Sequence, residues 1–136
     1  MGANKIYLTW EDVYELLDKI HEQTKGTIKY VAGIPRGGII LAVLYSHRFN
    51  VQYFEFKSNH YHDLLIIDDI SDTGDTFLDL RHDIKLPKTA ALHYKSTSKF
   101  KPDFFGKEIA GDYGWIVYPW EREDSKTIQD YLENRD

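Results

Sequence analysis

The stretch LLIIDDISDTGDT, Leu64 to Thr76, constrains this chain more than any other. Its leading aliphatic residues do not alternate with polar ones, which is the pattern of a strand covered on both faces in the middle of a parallel sheet. The run stops in Asp68 and Asp69, and Asp72, Gly74 and two threonines follow at once. In an open parallel sheet ligands bind beyond the carboxyl ends of the strands, so these carboxylates stand where a ligand is expected. DTGDT (72–76) lies at the entry to a helix, where unpaired backbone N–H groups, the helix dipole and threonine hydroxyls make an anion site. Gly74 lets the chain come close to that anion. A phosphate cradle therefore sits beside a carboxylate pair suited to a diol or a hydrated cation, and a sugar phosphate has both a phosphate and a diol. An N-cap would account for one aspartate. Three carboxylates at one strand end repel unless a cation or a diol joins them.

The rest of the chain supplies the sheet. Thr9 and Asp12 form a capping box, and Val13, Leu16, Leu17 and Ile20 recur at helical spacing, so 10–24 reads as an amphipathic helix ended by Lys25-Gly26. IKYVAGI (28–34) reads as a strand stopped by Pro35, GGIILAVLYSHRF (37–49) as a buried helix, and VQYFEF (51–56) as a second strand. KSNHYHD (57–63) is a short polar loop. Residues 75–84 read as a helix and TAALHYK (89–95) as a strand. This alternation implies an α/β fold with a central parallel sheet flanked by helices. After Ser96 the chain turns rich in aromatics, glycine and proline. Residues 99–123 read as a small irregular or β-rich flap, and 125–134 as a closing helix capped by Ser125. One domain over 1–136 is expected, with a core at about 6–95, a flap or hood at about 96–124 and the terminal helix after it.

Composition removes several function classes. With 136 residues there is room for one sizeable core. The net charge of −5 argues against non-specific nucleic-acid binding. The absence of cysteine excludes disulfides, thiolate metal sites and a cysteine nucleophile. No apolar run reaches transmembrane length, the first residues lack the apolar core of a signal peptide, and Met1-Gly2 lacks the pattern for myristoylation. The cytoplasm is the expected location. His60 and His62, two apart in a polar loop, read as surface rather than a metal site.

Residues Leu65 to Thr76 closely resemble the phosphoribosyl pyrophosphate (PRPP) signature of type I phosphoribosyltransferases. The resemblance implies that fold, with a small C-terminal hood. It implies that Asp68 and Asp69 bind the ribose hydroxyls and face magnesium, and that Asp72, Thr73, Gly74, Asp75 and Thr76 form the 5′-phosphate site. GIPRGGI (33–39) is similar to the family's pyrophosphate loop. That implies contacts from Arg36, Gly37 and Gly38 to the pyrophosphate and a non-proline cis peptide at Pro35–Arg36. Alone, the glycines are equally explained by a strand-to-helix turn, though Arg36 is suited to a fork onto phosphate oxygens.

KPDFFGKEI (101–109) and WIVYPWE (115–121) look like the hood of hypoxanthine, guanine and xanthine phosphoribosyltransferases. By that likeness Trp115 stacks on the purine, Ile116 reads the base edge through its backbone, Lys95 meets the exocyclic O6, and Asp72 acts as general acid/base near N7. Glu121 matches an acidic position near the pyrophosphate and its Mg²⁺, usually an aspartate. Trp120 is expected to be packing. An ammonium only donates hydrogen bonds, so Lys95 favours a 6-oxo group over a 6-amino group. The family's mobile loop, usually longer and carrying a Ser-Tyr pair, is reduced here to 57–63, where Ser58 and Tyr61 are not adjacent.

The resemblance thus implies transfer of the phosphoribosyl group from PRPP to N9 of a 6-oxopurine, with Mg²⁺, giving a nucleoside monophosphate and pyrophosphate. It further implies a homo-oligomer, dimer or tetramer, with no nucleic-acid or membrane partner. A phosphoribosyltransferase for another base, and a non-catalytic PRPP- or nucleotide-binding regulator on the same fold, remain as alternatives.

Overall fold

A computed structural model describes residues 4–55, 63–83 and 88–121. Its centre is a five-stranded parallel sheet in the order β3-β2-β4-β5-β6. The strands are β2 (Tyr30–Gly33), β3 (Gln52–Tyr53), β4 (Leu64–Ser71), β5 (Lys88–Lys95) and β6 (Phe104–Ile109). A separate parallel pair joins β1 (Lys5–Tyr7) to β7 (Trp115–Val117). Three helices complete the described chain: α1 (Trp10–Thr24), α2 (Gly37–Phe49) and α3 (Asp75–Asp83).

The unbroken aliphatic run of β4 is explained by two cores. Leu65 and Ile67 point to the face covered by α1 and α2, where Val13, Leu17, Ile20, Leu41 and Tyr45 are buried. Leu64 and Ile66 point to the other face, where Phe77 and Leu80 of α3 meet Phe100. A strand buried on both sides has no solvent face on which to place polar residues.

Local chemistry sets the helix ends. Thr9 and Asp12 exchange hydrogen bonds in the capping box, at 3.1 and 2.9 Å. After Thr24 the chain leaves α1 through Gly26, whose φ of +80° suits a residue without a Cβ. At the other end of β2, a Cβ on Gly38 would run into the carbonyl of Ile67. That glycine lets the start of α2 lie directly on β4. The Pro35–Arg36 peptide is cis, as the resemblance implied.

The structure changes the reading of 99–123. Part of this segment is β6, which pairs parallel to β5 and extends the main sheet. The crossover 96–103 contains no helix. It lies on the α3 face, with Phe100 stacked on Phe77 at 5.1 Å. The Asp103 carboxylate accepts from the N–H and hydroxyl of Thr89, fixing the start of β6 beside β5. A helix-free crossover carries none of the 3.6-residue periodicity that marks a β-α unit, which is why the segment read as a flap. The remainder, β7, pairs with β1, a strand too short to stand out in the sequence. The second strand is also shorter than the expected 51–56: β3 covers only Gln52–Tyr53. The terminal helix at 125–134 and the loop residues 57–62 lie outside the described residues.

Leu17 has no exposed surface, whereas Val43 on the outer side of α2 is 38% exposed. Leu17→Ala is expected to lower unfolding free energy by about 2–5 kcal/mol. Val43→Ala is expected to change it by less than about 0.5 kcal/mol. Urea unfolding of both variants measures the contrast.

Candidate active site

The carboxyl ends of β2 and β4 open into a cleft of about 680 Å³. Sequence residues far apart in the chain meet here. Arg36 and Gly37 come from the turn after β2, Asp68 to Thr76 from β4 and the turn into α3, and Lys95 from the end of β5. Trp115, Ile116 and Glu121 line the same cleft. Gly38 is the one expected site residue that does not line it. It lies buried beneath the loop against Ile67.

The turn after β4 is braced from behind. Gly74 has a φ of +92°, and a Cβ there would lie 2.5 Å from the Phe100 nitrogen and 2.8 Å from the Ser98 hydroxyl. Both its conformation and its close packing demand glycine. Lys99 N–H donates to the carbonyl of Thr73 at 2.9 Å. The Ser71 hydroxyl bonds to Ser98 Oγ and to the carbonyl of Phe100, each at 2.9 Å. The crossover 96–103 therefore supports the turn into α3. Asp75 at the start of α3 is ion-paired with Lys99 at 2.8 Å, and this bond holds its carboxyl below the usual range. Its side chain is thereby turned to a cation, while its backbone N–H remains part of the turn.

The facing loop is the start of α2. Arg36 occupies the N-cap position and provides no side-chain cap. The start of α2 is thus not capped by the Arg36 side chain, and N–H groups at a helix start suit an anion. A Cβ on Gly37 would collide with Asp69 Oδ2 and lie 3.4 Å from Trp120 Nε1. Glycine here keeps the loop and the acid pair in direct apposition.

Asp68 and Asp69 are half-buried side by side. Burial, and then the charge of Asp69, push the Asp68 carboxyl well above its ordinary range. Burial also raises Asp69, to about 6, with Glu121 adding to the effect. Glu121 is held close by a turn: its N–H donates to the Tyr118 carbonyl at 2.9 Å, and its carboxylate accepts from Tyr118 N–H at 3.0 Å. Among the described residues no group of three or more His, Asp or Glu side chains closes into a metal cage. One or two carboxylates that also use substrate oxygens and water are the usual holders of Mg²⁺, and this donor set suits that mode.

In the same cleft, Lys95 Nζ lies 3.0 Å from Asp72 Oδ1. Trp115 is 40% exposed and lines the same cleft. Trp120 stacks on Tyr118 at 5.1 Å, which is the expected packing, and its indole also borders the cleft. Sequence reasoning missed Tyr118. Its hydroxyl donates to the carbonyl of Asp69 at 3.0 Å and bonds to His93 Nδ1 at 2.8 Å. His93 is buried beneath the site, and burial, with the charge of Lys107, lowers it to about 4, so the ring is neutral. The only hint in the sequence is a tyrosine interrupting an apolar strand end, which does not reveal its partner.

No family model matches the chain. Xanthine-guanine phosphoribosyltransferase from Nitratidesulfovibrio vulgaris is 26% identical over 85% of this chain and 84% of its own length. The crystal structure of a purine phosphoribosyltransferase from Pyrococcus horikoshii superposes with a TM-score of 0.71 and 26% identity, covering 91% of this chain and 99% of that one. In sequence and fold the chain is similar to purine phosphoribosyltransferases. The fold is also shared with Helicobacter pylori xanthine-guanine-hypoxanthine phosphoribosyltransferase, at a TM-score of 0.67 and 22% identity over 88% and 93% of the two chains. The segments that resemble the signature turn and the pyrophosphate loop, together with Trp115 and Trp120, line one cleft.

The acid pair makes stability depend on pH. Both carboxyls bind a proton more tightly in the folded chain than in the unfolded one. The share from Asp69 is therefore full below pH about 4 and is lost as pH rises through about 6. Asp69→Asn is expected to stabilise the ligand-free protein by about 1–3 kcal/mol at pH 7.5, following roughly 1.4 kcal/mol per pKa unit, and by little at pH 4. Denaturant melts at the two pH values measure the difference.

Proposed function

We propose that the protein is a purine salvage enzyme that transfers the 5-phosphoribosyl group of PRPP to N9 of a 6-oxopurine. The observation that carries this reading is the Lys95–Asp72 pair, 3.0 Å apart in the cleft that Trp115 also lines. A 6-oxopurine protonated at N7 presents an acceptor, O6, next to a donor, N7–H. Lys95 only donates and ionised Asp72 only accepts, so the pair complements that edge. Adenine would set its 6-amino donors against an ammonium.

In this reading the 5′-phosphate sits on Thr73 to Thr76, and the ribose diol on Asp68 and Asp69. Arg36 and Gly37 face the pyrophosphate, with Gly38 supporting the loop. Trp115 stacks on the purine and the backbone of Ile116 meets its edge. N9 attacks C1 of the ribose while the bond from C1 to the pyrophosphate oxygen breaks. The electron pair leaves with pyrophosphate, and the N7 proton passes to Asp72. Positive charge grows on the ribose ring, as in glycoside chemistry. Arg36 offsets charge on the leaving group. Asp68, Asp69 and Glu121 are the residues that would hold Mg²⁺. When bound, Mg²⁺ adds positive charge at the pyrophosphate oxygens. We place the enzyme in the cytoplasm as a homo-oligomer.

A spectrophotometric assay with PRPP and Mg²⁺ tests the reading. Hypoxanthine, guanine or xanthine is expected to turn over, with adenine at least about 10²-fold poorer in kcat/KM. Asp72→Asn is expected to lower kcat by about 10²–10⁴-fold, the range of general acid–base catalysis. Absence of turnover with every base, while PRPP still binds, would replace the enzyme with a PRPP-binding module on the same fold.

A further inference from the structure

The last hydrogen bond between β2 and β4 runs from Ile34 N–H to the carbonyl of Ile67, at 3.0 Å. The chain then turns away through Pro35 into α2, while β4 continues to Ser71. Backbone groups alternate between the two edges of a strand. The N–H and C=O of Asp69, two residues past Ile67, therefore face the edge that β2 has left. Backbone polar groups shielded from water need partners.

Both receive one from outside the ladder. Asp68 Oδ1 accepts from Asp69 N–H at 2.8 Å. The Tyr118 hydroxyl donates to Asp69 C=O at 3.0 Å. Tyr118 is 3% exposed, so water does not replace that bond. Since its proton goes to the carbonyl, the hydroxyl oxygen accepts from His93 Nδ1–H, which sets the tautomer of the neutral ring. The tyrosine ring is held by its stack on Trp120 and its backbone by the turn to Glu121. His93 itself does not line the cleft.

We propose that Tyr118 is a positioning residue for the ribose-binding acid pair. It stands in for the missing β2 neighbour and fixes the Asp69 peptide, and through it the carboxylate that faces Gly37. The inference rests on the proposed function, in which Asp69 meets the ribose diol. It also makes the segment that carries the base-stacking Trp115 bear directly on the PRPP half of the site.

The test is calorimetric titration of PRPP with Mg²⁺ into the native chain, Tyr118→Phe and His93→Leu, with a thermal melt of each. Tyr118→Phe keeps the stacked ring and is expected to weaken PRPP about tenfold, the equivalent of one typical hydrogen bond. His93→Leu disturbs the same buried chain from its far end and is expected to leave PRPP affinity within about twofold. Where turnover is measurable, the hypoxanthine KM of Tyr118→Phe is expected to move less than its PRPP KM. Equal PRPP affinity in the native chain and Tyr118→Phe overturns the assignment. So do equal losses in both variants that follow their melting temperatures, which would make Tyr118 a packing residue. A native chain that does not bind PRPP removes the proposed function and this inference together. One that binds PRPP but turns over no base removes only the catalysis, and the titrations still decide the role of Tyr118.

Discussion

The site exists because β4 outlasts β2. A sheet whose strands all ended level would satisfy its own backbone and leave no crevice. Here β2 makes its last bond to Ile67 and departs, and β4 carries Asp68 to Ser71 into the open space. Each neighbouring feature answers a need created by that overhang. Gly38 lets α2 start directly on the Ile67 carbonyl, and Gly37 leaves room for Asp69 Oδ2. The segment after β7 closes the far side with Tyr118. The crevice is thus formed by strand ends of unequal length, as expected where ligands bind at the carboxyl end of a parallel sheet.

The electrostatics divide along the same cleft. At one end, burial raises the neighbouring Asp68 and Asp69 carboxyls, and the charge of Asp69 raises Asp68 further. Such a pair favours the folded, ligand-free protein less as it ionises, and a diol or cation relieves the repulsion. At the other end, Lys95 and Asp72 neutralise each other at 3.0 Å. The first pair is suited to recruit positive charge and hydroxyls. The second presents a donor and an acceptor side by side, to read a polar edge. The turn into α3 is braced by Ser98, Lys99 and Phe100 from the helix-free crossover. One chemical consequence of β6 joining the main sheet is therefore a rigid floor beneath Gly74.

Much of the fold was legible in advance because it rests on local or periodic signals. The capping box at Thr9 and Asp12 formed as its spacing implied. Helix α2 spans the expected Gly37–Phe49. The β4 run proved central and two-sided. The misread parts lack such signals. A crossover with no helix, 96–103, hides the parallel strand that follows it. β1 and β7 are three residues each and pair with one another. In the site, Asp68, Asp69, Asp72, Arg36, Lys95 and Trp115 could be named from motifs and do line one cleft. Tyr118 could not, because its task is to satisfy a carbonyl exposed by the end of a strand distant in sequence.

By itself, the sequence determined the kind of sheet, the position of the glycine turn after β4 and the acidic strand end. Each depends on residues close together in the chain, whose burial period, capping and turn chemistry act locally. Only the tertiary structure decided where β2 stops beside β4, that β6 belongs to the main sheet, and that Lys95 lies on Asp72. It alone decided that Tyr118 completes the backbone of Asp69. Those facts depend on strand register and on which surfaces meet, and register emerges when the two faces of β4 are buried together.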